Sequence, residues 1–150
     1  MSEPKETRVV KDTWDLSTYK WRLETDGLKL LVDGFKNKKV LGRKCHKCGT
    51  VYVPGQKFCR KCFIDIDQVV EISNQGKLVS YTATLSDIRG KPLEEPKIAG
   101  VVKLDGSDSW LMGEIKGIHW KDLKVGMKVK IIWKENTNGV IADLDHYEPA

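Results

Sequence analysis

The chain has 150 residues, 31 % of them charged, and a net charge of +5. That is room for one ordinary domain or two small ones of a soluble globular protein. No run approaches the roughly eighteen apolar residues that a membrane span needs, and the polar opening Met1-Ser2-Glu3-Pro4-Lys5-Glu6-Thr7 lacks the apolar stretch of a secretory signal. An intracellular, cytoplasmic protein is expected.

Residues 1–12 read as a flexible, charged N-terminus and residues 13–39 as a helical segment. Trp14, Leu16, Tyr19, Trp21 and Leu23 concentrate large apolar side chains that have to cover either the protein's own core or a partner. Asp26 is placed to cap a helix beginning near Gly27, with Leu28, Leu31, Val32 and Phe35 on one face. Gly34 weakens that helix, which should end near Asn37.

Residues 40–66 carry all four cysteines, after an extended entry through Val40-Leu41-Gly42. Cys45 and Cys48 form one Cys-x-x-Cys pair, and Cys59 and Cys62 form the second. Each pair can wrap a tight knuckle that points two thiolates at one ion, and two knuckles make the closed tetrahedral site of structural zinc. Gly49 sits where such a knuckle needs a positive φ. Val51-Tyr52-Val53 reads as a short strand and Pro54-Gly55 as the turn that returns the chain. Two disulfides fit the spacing but not an intracellular chain. Iron suits four thiolates as zinc does, and a redox Cys-x-x-Cys would open a helix. A closed four-thiolate site leaves no position for substrate, so the metal is scaffold here, with Cys45, Cys48, Cys59 and Cys62 as ligands.

The basic residues gather around the same stretch. Lys36, Lys38, Lys39, Arg43, Lys44, Lys47, Lys57, Arg60 and Lys61 lie between Gly34 and Ile64, where there is no Asp or Glu. The rest of the chain beyond that stretch is net acidic. Such asymmetry attracts an anion (nucleic acid, an acidic protein surface or a phosphorylated cofactor), unless it serves only to balance the thiolate cluster.

From residue 67 to 150 the periodicity is that of strands. They are expected at Val69–Ile72, Val79–Leu85, Ile98–Leu104, Trp110–Ile115, Met127–Trp133 and Val140–Leu144. Residues 86–96, with Gly90, Pro92 and Pro96, read as a loop. Asp105-Gly106 reads as a hairpin turn, and residues 119–123 as a helical turn. Five or six short strands without a long helix imply a mainly β fold, either a small barrel of the OB type or a sandwich.

The order of parts resembles one family. An N-terminal helical segment and a four-cysteine ribbon are followed by Gly76-Lys77-Leu78-Val79-Ser80-Tyr81-Thr82 and by Asp122-Leu123-Lys124-Val125-Gly126-Met127-Lys128-Val129. This combination resembles the zinc-ribbon/OB-fold proteins long grouped as a domain of unknown function and associated with acyl-CoA metabolism. The resemblance runs from about residue 15 to the end. It implies a rubredoxin-like zinc ribbon and a five- to six-stranded OB-fold barrel. It also implies a non-catalytic accessory subunit that binds CoA or acyl-CoA and bridges thiolase-like or HMG-CoA synthase-like enzymes. The chain departs from the family twice. Val53-Pro54-Gly55-Gln56-Lys57 replaces a Pro-Pro-Arg stretch, and His146-Tyr147-Glu148-Pro149 replaces a Phe-x-Pro ending.

On that reading Lys57, Arg60 and Lys61 are the candidate ligand-binding cations, since Lys and Arg suit phosphate by charge and hydrogen bonding. The alternative is a single-stranded nucleic-acid-binding module, a common use of both folds. The acidic barrel half argues against it. An independent enzyme has little support, because His46, His119 and His146 are scattered and no cysteine is left over as a nucleophile.

Overall fold

The computed structural model describes residues 26–150. The expectations for residues 1–12 and for the aromatic stretch 13–24 lie outside the described residues. The helix α1 spans Asp26–Phe35. Its apolar positions recur at helical spacing and bury Leu31 and Phe35. Asp26, the first described residue, lies in the first described turn of the helix, and its carboxylate pairs with the Lys57 ammonium. The helix closes near Asn37, as expected: Lys38 turns the chain in a left-handed conformation (φ 57°) and the Lys39 amide donates back to the Gly34 carbonyl.

The next strands build the ribbon. β1 (Val40–Lys44) lies between β2 (Val51–Tyr52) and, later in the chain, β5 (Val69–Ile72), antiparallel to both. Between them β3 (Phe58–Cys59) and β4 (Ile64–Asp65) form a short hairpin. Among the described residues, only Cys45, Tyr52, Cys59 and Ile66 are buried in the cluster beside the knuckles. An apolar cluster that small cannot offset the entropy of ordering some twenty-five residues, so the ribbon needs its metal.

Five strands close into a barrel: β6 (Gln75–Ser86), β7 (Pro92–Leu104), β8 (Leu111–Ile115), β9 (Lys128–Trp133) and β10 (Leu144–Pro149). Neighbours run β6–β7–β8–β10–β9 and back to β6, all antiparallel except the β10–β8 pair. This is the OB-fold order, and closure removes every sheet edge. The mainly β architecture, with one helix, a cysteine ribbon and a five-stranded barrel, is the one expected. Leu78, Val102, Leu104, Val129 and Tyr147 fill the interior from alternating positions. The helix is part of the same core, and Phe35 meets Trp133 edge-on at 5.0 Å.

Three segments differ from the sequence expectation. Residues 92–96 extend β7 instead of forming loop: Pro92 is the first residue of the strand, and Pro96 sits where the ladder with β6 is irregular, between the Thr84–Lys97 and Ser86–Pro92 pairs. Proline is tolerated there because no ladder donor is required of it. Val140–Leu144 is not a strand. Ile141–Asp143 forms a 3-10 turn, and the closing strand is Leu144–Pro149. The strand expected from Val79 already begins at Gln75, which pairs with Lys130. Among the described residues no helix is long and apolar enough to cross a membrane.

Candidate functional site

Two matching turns bring the cysteines together. In the first, the Gly49 amide donates to the Cys45 carbonyl, and in the second the Phe63 amide donates to the Cys59 carbonyl, each at 2.8 Å. The residue after each Cys-x-x-Cys pair is left-handed, with φ 73° at Gly49 and φ 58° at Phe63. Glycine adopts this conformation without cost, whereas phenylalanine does so against its Cβ.

The four Sγ atoms lie within 4.8 Å of one another, and Cys48 and Cys59 are 3.6 Å apart. Sulfurs around a tetrahedral zinc at about 2.3 Å stand about 3.8 Å apart, so the cluster fits that ion with little adjustment. The thiols are free, not joined as disulfides. Cys45 and Cys59 are buried and Cys48 faces solvent.

The surroundings favour thiolate at two of the sulfurs. The Tyr52 hydroxyl contacts Cys59 Sγ at 3.5 Å, and this hydrogen bond outweighs burial to bring the thiol down to about 6. The same bond, together with burial, raises the Tyr52 phenol. The hydroxyl and backbone amide of Thr50 hold Cys48 below its usual value, and its Sγ lies 3.2 Å from Thr50 Oγ1. Burial pushes Cys62 up to about 12. Holding that last sulfur as thiolate takes the charge of a bound dication.

Lys57, Arg60 and Lys61 are all exposed on the ribbon. Arg60 and Lys61 occupy the two positions inside the second knuckle. Lys57 lines a cleft of about 700 Å³ with Arg43, His46 and Asp67 while its ammonium pairs with Asp26. The histidines stay apart. His46 is exposed on the first knuckle, and His119 Nδ1 accepts from the Lys121 amide at 3.3 Å. His146 Nδ1 contacts Asp145 Oδ2 at 2.7 Å.

Sequence reasoning missed two exposed apolar features. On the ribbon, Phe63 is 76 % exposed and meets the exposed Phe58 edge-on at 6.0 Å. On the barrel, Trp110 and Met112 are 62 % and 74 % exposed, beside an apolar cleft of about 350 Å³ formed by Leu31, Phe35, Leu111 and Ile141. Alternation in the strand expected at Trp110–Ile115 puts Trp110, Met112 and Glu114 on one face, and the charge of Glu114 is the signal that this face is the outer one.

Residues 33–67 match the family model described as the ChsH2 rubredoxin-like zinc ribbon domain, and residues 69–134 match the ChsH2 C-terminal OB-fold domain. A DUF35 domain-containing scaffold protein of Methanocaldococcus jannaschii is 24 % identical over 122 residues, covering 75 % of this chain and 86 % of that one. A DUF35-family protein of unknown function from Sulfolobus solfataricus, known from its crystal structure, is 30 % identical with a TM-score of 0.64, over 72 % of this chain and 78 % of that one. The structure of an Ltp2-ChsH2(DUF35) aldolase shares the fold at 22 % identity and a TM-score of 0.65, over 87 % of this chain and 98 % of that one. A four-cysteine zinc ribbon continued by an OB barrel, matched in that order over two thirds of its length, makes this chain a member of the DUF35 family.

Proposed function

We propose that this protein is a non-catalytic scaffold subunit, with zinc held by Cys45, Cys48, Cys59 and Cys62, that docks on an enzyme of acyl-CoA chemistry of the thiolase or HMG-CoA synthase type and helps to hold its CoA-linked substrate. The observation that carries the scaffold reading is the pair of separate exposed apolar features, one on the ribbon and one on the barrel. A bridging protein needs two contact surfaces, and exposed aromatics and Met are what interface cores use. The scaffold name of the archaeal relative and the aldolase assembly of the structural neighbour support it. Lys57, Arg60 and Lys61 supply positive charge at the ribbon surface, facing CoA or an acidic patch of the enzyme. The closed sulfur cluster supports a structural metal, with no open position for a reacting group.

The test is affinity purification of the tagged protein from its host with mass spectrometry of what it retains. A stoichiometric acyl-CoA enzyme, lost from a Met112→Lys variant or from a Phe63→Gly variant, is the expected outcome. Recovery of nucleic acid or ribosomal proteins instead would overturn the proposal. Reversing Arg60 and Lys61 to Glu should weaken CoA or enzyme binding by roughly tenfold, the effect of a lost charged hydrogen bond. Unchanged affinity would remove them from the site.

A further inference from the structure

On the outer face of the barrel three lysines stand in a row. Lys77 of β6 is the register partner of Lys103 on β7 and of Lys128 on β9. Register partners share a face with their Cβ atoms about 5 Å apart, and like charges placed so are destabilising. The row repels itself. Among the described residues Lys77, Lys103 and Lys128 form no ion pair, whereas Lys39, Lys57, Lys116 and Lys130 each have a carboxylate partner.

Two of these lysines line a cleft of about 610 Å³ at the junction of ribbon and barrel, and Lys44 of β1 reaches it from the ribbon side. The junction is stapled by reciprocal hydrogen bonds. The Val51 amide donates to Asp108 Oδ2 and the Asp108 amide donates to the Val51 carbonyl, both at 2.9 Å. Asp108, which lines the cleft, is therefore already engaged with the backbone. Asp105 lines it too, without an ion pair to any of the lysines. The cleft volume lies in the range of small-molecule sites, about 300–1,000 Å³. Among the described residues no aromatic side chain lines it, whereas single-stranded nucleic acid is held on aromatic stacking platforms.

We infer that the Lys44–Lys77–Lys103 cleft, with Lys128 at its flank, binds the phosphate groups of a small nucleotide-bearing ligand. Ammonium groups on flexible stems, spaced across three strands, suit several phosphates in sequence better than one carboxylate. This rests on the acyl-CoA reading above and deepens it, because the 3′-phosphate and diphosphate of CoA carry such a charge pattern. It places the phosphates of CoA at the junction and leaves Lys57, Arg60 and Lys61 to face the acidic patch of the enzyme.

The experiment is calorimetric titration of the full chain with adenosine 3′,5′-bisphosphate, CoA, inorganic pyrophosphate and a short oligothymidylate. The variants are Lys77→Glu and, as a charge-matched control, Lys97→Glu. Binding of the bisphosphate and CoA, weakened roughly tenfold or more in Lys77→Glu and unchanged in Lys97→Glu, is the expected result. Lys77→Glu should also melt higher than wild type, since it places one carboxylate between two ammoniums. A merely structural lysine would not combine higher stability with lost binding. CoA binding that survives Lys77→Glu would overturn this site while leaving the acyl-CoA reading intact. Absence of binding by all the small ligands would overturn the site, and the enzyme purification would then judge the scaffold reading separately. Binding of the oligonucleotide alone would replace the inference with a nucleic-acid role.

Discussion

Phe63 shows how a single residue can carry a cost that its own packing does not explain. Its backbone occupies the left-handed region that Gly49 occupies in the matching knuckle, yet its ring lies mostly in solvent. A non-glycine residue there costs about 1–2 kcal/mol, and the entropy of glycine takes back about 0.5–1 kcal/mol of any relief. Phe63→Gly is therefore expected to leave the ribbon as stable as wild type, or slightly more so, although it deletes a large side chain. The same change should weaken enzyme retention, because the exposed Phe58–Phe63 pair is lost. Thermal melts of the zinc-loaded protein beside the affinity purification check both halves. A stability loss above about 1 kcal/mol would make the ring a packing residue, more than an edge contact between exposed rings should supply.

At the scale of elements, the closing strand depends on a carboxylate. Asp143 is 1 % exposed and accepts from the amides of Asn138, Gly139 and Val140 at 2.7–3.1 Å. Burial alone would raise its carboxyl, but these three amides, helped by Lys134, hold it below the usual 3.8. A depressed folded value contributes stability above the unfolded value, and that contribution is lost as pH falls through the folded one. Acid unfolding that begins below about pH 4 should therefore include Asp143. Asp143→Asn should destabilise the protein at neutral pH and flatten that acid limb, read by circular dichroism across pH 2–7. An unchanged limb would assign it to other carboxylates, such as Asp145, whose hydrogen bond to His146 holds it low. This turn is also where sequence reading failed. Val140-Ile141-Ala142 is apolar and predicts strand, yet all three are exposed, because the amides beside them are turned to Asp143. The true strand, Leu144–Pro149, buries only Tyr147 and has Asp145, His146 and Glu148 around it, so no alternation announces it. By contrast the cysteine knuckles, the β7–β8 pairing about Asp105-Gly106 and the strand ending in Trp133 were legible. There local turn chemistry and period-two apolar positions agree with the final packing. The lysine row was invisible for the opposite reason: Lys77, Lys103 and Lys128 meet only through register, which no local pattern encodes.

At the scale of the whole molecule, two units of very different self-sufficiency share a few connections. The barrel shares one apolar core with α1 and with Val40, Val51, Val53 and Ile72 of the ribbon, whereas the knuckle side of the ribbon has only the small cluster of Cys45, Tyr52, Cys59 and Ile66 among the described residues. Structural zinc contributes on the order of 10 kcal/mol or more to folding, comparable with the total stability of an ordinary domain. β1 ties the units together, pairing with β2 at two positions and with β5 at four, and α1 covers it while reaching Trp133 through Phe35. The Val51–Asp108 staple and the close approach of Gly27 to the Gly55 carbonyl complete the junction. A side chain at Gly27 would meet the Gly55 backbone and force the helix off the ribbon turn. Chelation should then melt the stretch from Cys45 to Ile66 while the barrel, α1 and the β1–β5 pair remain folded. Amide hydrogen exchange after chelation reads this directly. Phe63 and Ile66 should lose protection, and Leu78, Val102 and Val129 should keep it. The β1–β5 ladder decides how far the loss spreads, because Val40 and Leu41 pair with Ile72 and Glu71 beyond the reach of the knuckles. Simultaneous loss at all these sites would mean that the staple and the helix bind ribbon and barrel into one cooperative unit. In that case the metal would stabilise the docking surface of the barrel as well as its own loop.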